Sequence, residues 1–278
     1  MKHALLVSLL AFAQSTLGAA EAVTFAGPGI ELSGRLYRPD GPGPFPAFVL
    51  MHGCSGLWRR DGQEPTPAYV AWAEHWQKRG YLALLVDSFG PRGQREICTQ
   101  PGRTITPDKD RPLDAYAALN WLAARPDVDR ARIHLQGWSN GAMAVLNTVK
   151  EGAPGSSARG PEFRSAVAFY PGCIQLVRQP DYRTRVPLLI QAGAADDWTP
   201  ARHCEALVEK FKGRSAPMEI DVYPDAHHAF DGLGAVRVRP EVRNLASPTG
   251  WGATVGANPE VRARAYRRTT DWVAEHNR

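Results

Sequence analysis

Hydrophobic residues recur along the chain in short aliphatic runs that alternate with longer amphipathic stretches. Runs of four to six residues followed by Gly, Pro, Asp or His are typical of buried strands, and they cover Ala47–Met51, Leu82–Val86, Ile133–Gln136, Ala166–Tyr170, Pro187–Gln191 and Met218–Tyr223. Helical spacing of apolar residues occurs between them, in Tyr69–Arg79, Pro112–Ala124, Gly141–Lys150 and Pro200–Lys212. This alternation predicts an α/β fold with a mostly parallel sheet covered by helices on both faces.

Two further elements flank this repeating pattern. Val23–Phe25 and Ile30–Tyr37 alternate apolar and polar residues on either side of a Gly-Pro-Gly turn, which predicts an antiparallel hairpin at the edge of the sheet. Asn258 followed by Pro259 is a helix-start signal. It predicts a last amphipathic helix that runs to about Glu275.

The first 22 residues are typical of a secretory signal peptide. Lys2 is followed by an apolar run from Ala4 to Ala13 and then by small residues, so cleavage is expected after Ala20 or Ala22. Residues 23–278 are then expected to form a single domain. No later stretch is long and apolar enough to cross a membrane. We therefore expect a periplasmic or secreted protein.

Composition excludes several function classes. The net charge of +5 comes from basic residues scattered along the chain rather than clustered with aromatics, so we expect no nucleic-acid partner. The four cysteines show neither a CxxC pair nor a zinc-ligand spacing with histidine, and we expect no metal or cofactor. In an exported chain the same cysteines can form disulfides, for which three pairings exist.

Two long segments lack strong periodicity, Asp87–Arg111 and Asp231–Ala257. Both are rich in Gly, Pro and Arg. Long ordered connections in compact domains often contribute to binding sites, although passive surface loops explain such segments equally well.

The clearest chemical motif is Gly137-Trp138-Ser139-Asn140-Gly141, a G-x-S-x-G sequence. It follows a predicted strand and precedes a predicted helix, which is the context that a nucleophile elbow requires. The sharp turn holds the serine hydroxyl at the helix N-terminus, where backbone N–H groups favour a developing oxyanion. Ser139 is thus the candidate nucleophile.

A serine nucleophile needs a base that is oriented by a carboxylate. Two neighbouring aspartates, Asp196 and Asp197, follow one predicted strand, and two neighbouring histidines, His227 and His228, follow the next. Ser, Asp, His is the chain order of α/β-hydrolases. The motif alone leaves the choice within each pair open.

The loop His52-Gly53-Cys54-Ser55-Gly56 follows an earlier strand and is the candidate for the second half of an oxyanion hole. We expect the backbone N–H groups of Cys54 and Asn140 to be the two donors. Trp138, Trp198 and Phe230 flank the candidate triad, where they either line a substrate pocket or pack in the core.

Together these segments resemble the dienelactone hydrolase family of α/β-hydrolases across essentially the whole mature chain. The motifs that carry the resemblance are HGCSG, DSFGPRG, GWSNG, FYPGC, GAADDWTP and AHHAF. In that family the acid lies three residues after the Gly and four before the Pro, which implies Asp196. The base precedes x-Phe, which implies His228.

The chain departs from the family pattern at two places. Dienelactone-opening members use a cysteine nucleophile and a glutamate in the first loop, whereas this chain has Ser139 and Gly53. They also hold the substrate carboxylate with two arginines; Arg92 matches one with a shift of one residue, and Gly232 occupies the position of the other. With these departures, the resemblance implies a serine-dependent hydrolase of carboxylic esters whose substrate is unassigned.

Other functions remain compatible with the same residues. A peptidase, a thioesterase or a polyesterase would use the same triad, and a non-catalytic binding protein can retain a hydrolase scaffold. For the cysteines, the family's sheet order implies a Cys173–Cys204 bridge and, in second place, a Cys54–Cys98 bridge. A free buried thiol at Cys54 is the alternative.

Overall fold

The computed structural model of the protein describes residues 18–277, so residues 1–17 of the expected signal peptide lie outside the described part. Its main feature is a sheet of eight strands: β1 Glu21–Gly27, β2 Ile30–Tyr37, β3 Phe45–Met51, β4 Leu82–Asp87, β5 Val128–Trp138, β6 Ala166–Phe169, β7 Leu188–Gly193 and β8 Met218–Tyr223. The spatial order is β1-β2-β4-β3-β5-β6-β7-β8. Strands β3 to β8 are parallel, whereas β1 and β2 form an antiparallel pair that joins β4. The predicted α/β-hydrolase fold with an N-terminal edge hairpin is confirmed.

Within residues 18–277, six helices connect and cover the strands: α1 Pro67–Gln77, α2 Asp110–Ala123, α3 Asn140–Thr148, α4 Ile174–Val177, α5 Arg202–Phe211 and α6 Pro259–His276. A 3-10 turn spans Gly90–Arg92. The predicted helices are present, and their ends are shifted by at most two residues. Helix α6 begins where its signal predicted, because the Asn258 side chain accepts a hydrogen bond from the Val261 amide.

The core is divided by the sheet into two apolar clusters. Alternate residues of β3 belong to opposite clusters: Ala47, Val49 and Met51 to one, Phe48 and Leu50 to the other. Helices α2, α3 and α5 contribute to the first cluster, and α1 and α6 to the second. Because both faces of the sheet are covered, its inner strands consist of continuous apolar runs. None of the helices in residues 18–277 is long and apolar enough to cross a bilayer.

The interpretation of Asp231–Ala257 as an irregular segment is wrong in part. It contains a second sheet of two antiparallel strands, β9 Arg237–Arg243 and β10 Trp251–Val255. Charged residues occupy every second position of β9 (Arg237, Arg239, Glu241 and Arg243), and Pro240 separates its two valines. A hydrophobic pattern therefore did not reveal this hairpin.

Both cysteine pairings implied by the sheet order are present. Cys54 is bridged to Cys98 and Cys173 to Cys204, with Cα–Cα distances of 4.9 Å and 5.1 Å. The first bridge joins the loop after β3 to the long segment after β4, and these two strands are neighbours in the sheet. The second joins the segments after β6 and β7, which are also neighbours. The pairing thus follows from which strands are adjacent.

Candidate active site

Ser139 stands at a strained turn between β5 and α3. Its φ and ψ of 52° and −115° lie in a region that residues with a side chain rarely adopt. The turn is possible because the flanking positions are glycines: a Cβ on Gly137 would lie 2.6 Å from the Gly141 carbonyl oxygen, and one on Gly141 would lie 2.0 Å from the Met51 oxygen. The structure therefore gives the G-x-S-x-G segment the geometry of a nucleophile elbow.

Ser139, His228 and Asp196 form one chain of hydrogen bonds. The Ser139 Oγ lies 2.9 Å from His228 Nε2, and His228 Nδ1 lies 2.8 Å from Asp196 Oδ2. His228 and Asp196 are both buried, at 3% and 4% exposure. Burial alone raises the pKa of Asp196, but the facing His228 and the hydrogen bonds from His228 and Thr199 outweigh it, so this pKa lies below its ordinary value.

Thr199 completes the surroundings of this acid. Its amide and that of Trp198 each donate to Asp196 Oδ1 at 2.8 Å, and its hydroxyl donates to Asp196 Oδ2 at 2.9 Å. The same hydroxyl lies 3.1 Å from His228 Nδ1. A carboxylate with this many donors is held in its ionised form and in one orientation.

The neighbouring aspartate and histidine face other groups. His227 Nδ1 lies 3.0 Å from the Ala195 carbonyl oxygen. Asp197 accepts hydrogen bonds from the amide and the hydroxyl of Thr254, both at 2.8 Å, and so fixes strand β10. The structure therefore brings Asp196 and His228 to Ser139, and not their neighbours.

The two expected oxyanion donors are the backbone N–H groups of Cys54, in the loop after β3, and of Asn140, which directly follows Ser139. Asn140 is the first residue of α3, where amides have no acceptor within the helix. The loop with Cys54 approaches closely, since a Cβ on Gly53 would lie 3.5 Å from the Ser139 Cβ. The Gly53 amide donates to the Tyr69 hydroxyl at 2.9 Å, which fixes the loop.

A buried arginine lies against this part of the site. Arg111 has no exposed surface, and its Nη1 donates to Asn140 Oδ1 at 2.8 Å. Its Nε and Nη2 atoms have no hydrogen-bond partner within the described residues. Burial lowers the pKa of Arg111 to about 10, so the side chain is still a cation at neutral pH. Sequence reasoning missed this residue, because nothing in the pattern of α2 separates it from a surface arginine.

The cavity at Ser139 has a volume of about 250 Å³. Trp138 and Trp198 line it, as the sequence suggested, and the Trp198 ring lies 4.7 Å from that of His228. Phe230 does not line it, because its fully buried ring packs among Phe169, Tyr170 and Tyr223. Of the two alternatives for Phe230, a pocket wall or core packing, the structure shows core packing.

Arg92 also lies outside the residues that line this cavity. Its guanidinium donates two hydrogen bonds to Asp114, at 2.8 Å and 2.9 Å, and a third to the Ser88 carbonyl oxygen. The Asp114 side chain is fully buried. A bidentate bond to a buried carboxylate uses the donors that a substrate anion would need. The expectation that Arg92 contacts the substrate is therefore corrected.

Asp231 is a site residue that the sequence did not reveal. It lines the cavity, is almost fully buried, and accepts hydrogen bonds from Trp72 Nε1 and Trp138 Nε1 at 2.8 Å and from the Tyr170 hydroxyl at 2.7 Å. Burial raises its pKa, and the three donors oppose that rise. Asp231 thereby fixes Trp138 and Tyr170, whose rings flank Ser139 and His228. Its position three residues after His228 is the only sequence signal.

Hairpin β9–β10 forms the outer wall of the cavity. Arg237, Arg239 and Val255 line it, and Arg239 Nη1 lies 3.3 Å from Ser55 Oγ. Val255 pairs with His228 in an isolated parallel bridge, so the hairpin is attached to the histidine loop. Across residues 18–277, no group of three or more His, Cys, Asp or Glu side chains is arranged to hold a metal ion.

Known proteins with similar structures share this arrangement of strands and helices. A dienelactone hydrolase-like promiscuous phosphotriesterase from metagenomic libraries has a TM-score of 0.67 at 18% identity, over 93% of this chain and 98% of that one. Esterase 2 of Thermogutta terrifontis, solved phosphorylated by paraoxon, has a TM-score of 0.58 at 19% identity, over 92% and 93%. At these identities the similarity shows the α/β-hydrolase fold alone.

Sequence comparison is more specific. A Yersinia pestis protein described as "Putative carboxymethylenebutenolidase" is 24% identical over 269 residues, which cover 91% of this chain and 87% of that protein. The model of the dienelactone hydrolase family matches residues 32–277. The match spans nearly all of the described residues. The chain therefore belongs to the dienelactone hydrolase family and is a hydrolase of the α/β-hydrolase superfamily.

Proposed function

We propose that the protein hydrolyses carboxylic esters through a catalytic triad of Ser139, His228 and Asp196. The observation that carries the proposal is the unbroken chain of hydrogen bonds, 2.9 Å from Ser139 to His228 and 2.8 Å from His228 to Asp196. In the first step His228 Nε2 takes the hydroxyl proton while Ser139 Oγ attacks the ester carbonyl carbon. Asp196 keeps the imidazole ring oriented and stabilises its protonated form.

The developing negative charge on the carbonyl oxygen is stabilised by the backbone N–H groups of Cys54 and Asn140 in this proposal. Collapse of the tetrahedral intermediate breaks the C–O bond, and the departing alcohol takes the proton from His228. The acyl group then remains on Ser139. His228 next deprotonates a water molecule that attacks the acyl-enzyme, which releases the acid and restores the serine.

The size of the cavity favours an ester of which only a small part lies at Ser139. Its volume of about 250 Å³ lies below the range of roughly 300–1,000 Å³ that small-molecule sites span. Its aromatic walls, Trp138 and Trp198, suit an apolar group beside the carbonyl carbon. Peptides, thioesters and polyesters are alternative substrates for the same triad, and rates on matched acyl donors separate them.

We further propose that the protein acts outside the cytoplasm. Its two disulfides are of the kind that persists in oxidising compartments such as the bacterial periplasm. The N-terminal sequence has the pattern of a secretory signal. Strand β1 begins at Glu21, so cleavage after Ala20 would leave it whole.

Hydrolysis of short 4-nitrophenyl esters tests the catalytic proposal. Ser139→Ala and His228→Ala are each expected to lower kcat by several orders of magnitude with the fold retained, because triad members act as a unit. His227→Ala is the matched control and is expected to keep its activity, since His227 faces the Ala195 carbonyl oxygen. A fluorophosphonate probe should label the wild type at Ser139 and leave Ser139→Ala unlabelled.

Near-wild-type activity of Ser139→Ala would overturn the proposal. If His227→Ala loses activity and His228→Ala keeps it, the base is His227 and the assignment to His228 is wrong. Failure of the folded wild-type protein both to react with the probe and to hydrolyse any ester would favour a binding protein on a hydrolase scaffold.

A further inference from the structure

A second cavity lies beside the catalytic one, and the two share Trp198 as a common wall. Its volume is about 540 Å³, roughly twice that of the cavity at Ser139. Thr199, whose hydroxyl lies 3.1 Å from His228 Nδ1, lines it. So does Met143, whose amide donates to the Ser139 carbonyl oxygen at 2.8 Å. The second cavity therefore begins within one helical turn of the candidate nucleophile.

The two long segments of unassigned role meet at this cavity. Gln100, Pro101 and Arg103 come from the segment after β4, and Arg243, Leu245 and Ala246 come from the hairpin segment. Further walls come from residues after β6 and β7. In open α/β sheets ligands bind outside the carboxyl ends of the strands, and this cavity lies there.

Three arginines from three different segments line the cavity: Arg103, Arg202 and Arg243. None of the three lies within 4.0 Å of a carboxylate in the described part of the chain. Burial lowers the pKa of Arg103; the nearby Glu96 opposes this, and the neighbouring positive charge of Arg243 adds to it. A cavity lined by three guanidinium groups that have no paired carboxylate suits an anion, and a guanidinium matches the geometry of a carboxylate.

The remaining walls are largely apolar. Met143, Ile174, Trp198 and Leu245 line the cavity, and Leu245 has 82% of its surface exposed. Leu245 therefore adds apolar surface at the rim of the cavity. The cavity thus combines an apolar wall with a positively charged rim, which complements a ligand that is apolar along its length and anionic at one end.

We propose that this cavity binds the remote end of the substrate, an apolar arm that ends in a carboxylate, while the ester carbonyl group lies at Ser139. The inference rests on the proposed ester hydrolysis and specifies its substrate class. The catalytic cavity is too small for an extended substrate, and the adjoining cavity has the volume and the charge to accept the rest. Arg202 and Arg243 would bind the carboxylate, and Met143 and Trp198 would contact the arm.

Two 4-nitrophenyl esters with acyl chains of equal length test whether the second cavity recognises a terminal carboxylate. One is the mono-4-nitrophenyl ester of octanedioic acid, which ends in a carboxylate, and the other is the neutral 4-nitrophenyl octanoate; 4-nitrophenyl acetate is the short reference. Arg202→Gln and Arg243→Gln should each lower the ratio of kcat/KM for the charged over the neutral ester about tenfold or more. Hydrolysis of the acetate should not change. Arg130→Gln, which alters an exposed arginine on β5, is the matched control.

The variant Ala246→Trp tests the space, since Ala246 is an exposed residue on the wall of the second cavity. A tryptophan there should lower kcat/KM for both eight-carbon esters at least tenfold and leave the acetate unaffected. An unchanged charge ratio in both arginine variants, or full activity of Ala246→Trp on the long esters, would overturn the proposal.

Failure of the proposed function is distinguishable from failure of this inference. If folded wild-type protein neither reacts with the fluorophosphonate probe nor hydrolyses any of the three esters, ester hydrolysis itself is refuted. The cavity is then tested with Ser139→Ala protein by calorimetric titration of the mono-4-nitrophenyl ester of octanedioic acid. Binding that weakens about tenfold in the Ser139→Ala/Arg243→Gln protein supports the second site, and equal affinity in the two proteins overturns it.

Discussion

Arg111 offers a test of how the fold supports the oxyanion hole. Within the described residues the fully buried guanidinium makes one hydrogen bond, 2.8 Å from Nη1 to Asn140 Oδ1. Asn140 carries one of the two proposed oxyanion donors on its backbone nitrogen. We predict that Arg111→Met slows the chemical step. Without the guanidinium, the side chain of Asn140, the first residue of α3, loses the hydrogen bond that holds it. Arg111 is thus a positioning residue.

The size of the effect follows from two limits. A hydrogen bond to a charged group contributes about 1.5–3 kcal/mol, and removal of an oxyanion donor costs about 2.7–4 kcal/mol in the transition state. The variant keeps the Asn140 N–H and loses only its support, so the cost should stay near the lower limit. We expect kcat to fall roughly 10- to 100-fold. KM should change little, since the donor acts on charge that develops in the transition state.

Stability should change much less than activity. Arg111→Met leaves Asn140 Oδ1 without its partner, which is unfavourable, but it also removes two buried nitrogen atoms that have no acceptor in the described residues. Asp114 is the charged group with the largest effect on the pKa of Arg111, and it keeps its bidentate bond to Arg92. Methionine fills much of the volume of the arginine stem.

A double-mutant cycle with Asn140→Ala is the decisive assay. If Arg111 acts through the Asn140 side chain, the double variant should be no slower than the slower single variant on 4-nitrophenyl acetate. Titration with a fluorophosphonate would count the active sites, and thermal unfolding would check the fold. Full kcat in folded Arg111→Met protein, or additive losses in the double variant, would refute the reasoning.

Three further predictions concern stability and redox state. Burial lowers the pKa of His134 to about 4, whereas the unfolded chain binds this proton near pH 6.5. The free energy of unfolding in urea should therefore fall by about 3 kcal/mol between pH 6.5 and 4. His134→Gln should remove this loss. Reduction of Cys54–Cys98 should lower ester hydrolysis before unfolding begins, and Cys54→Ala/Cys98→Ala protein, which lacks this bridge, should lose no further activity on adding reductant. Arg92→Met should lower the free energy of unfolding by about 3–5 kcal/mol, because it leaves buried Asp114 unpaired, and should not change the ratio of rates on charged and neutral esters. The double variant Arg92→Met/Asp114→Leu should recover stability. A changed ratio in Arg92→Met would show that Arg92 does bind the substrate.

The residues at strand ends could be predicted from the sequence. Ser139, Asp196 and His228 each follow a recognisable apolar run, and the carboxyl ends of parallel strands meet at one edge of a sheet. The resemblance to a family then selected one residue from each neighbouring pair. The cysteine pairing followed from the same sheet order, because a bridge needs adjacent strands.

The walls of the site could not be predicted in the same way. Arg92 and Arg111 both lie in the segment Asp87–Arg111, for which the sequence predicts no helix or strand, yet one pairs with Asp114 and the other supports Asn140. Phe230 and Trp198 are both aromatic residues beside the triad, yet only Trp198 lines the cavity. Whether such a side chain faces a cavity or a carboxylate depends on long-range packing, which leaves no periodic signal in the sequence.

Backbone strain concentrates around the same site and explains part of this packing. The non-glycine residues with positive φ in residues 18–277 are Ser139, Tyr170, Asp225 and Ala229, and all lie in segments after β5, β6 or β8. Each such conformation costs about 1–3 kcal/mol and persists only where surrounding bonds enforce it. The Ser139 amide donates to the Phe169 carbonyl oxygen and the Tyr170 amide to that of Gln191, at 2.9 Å and 2.7 Å. Bonds between neighbouring strands therefore hold the strained turns at Ser139 and Tyr170, and the Cys173–Cys204 bridge restrains the segment that follows Tyr170.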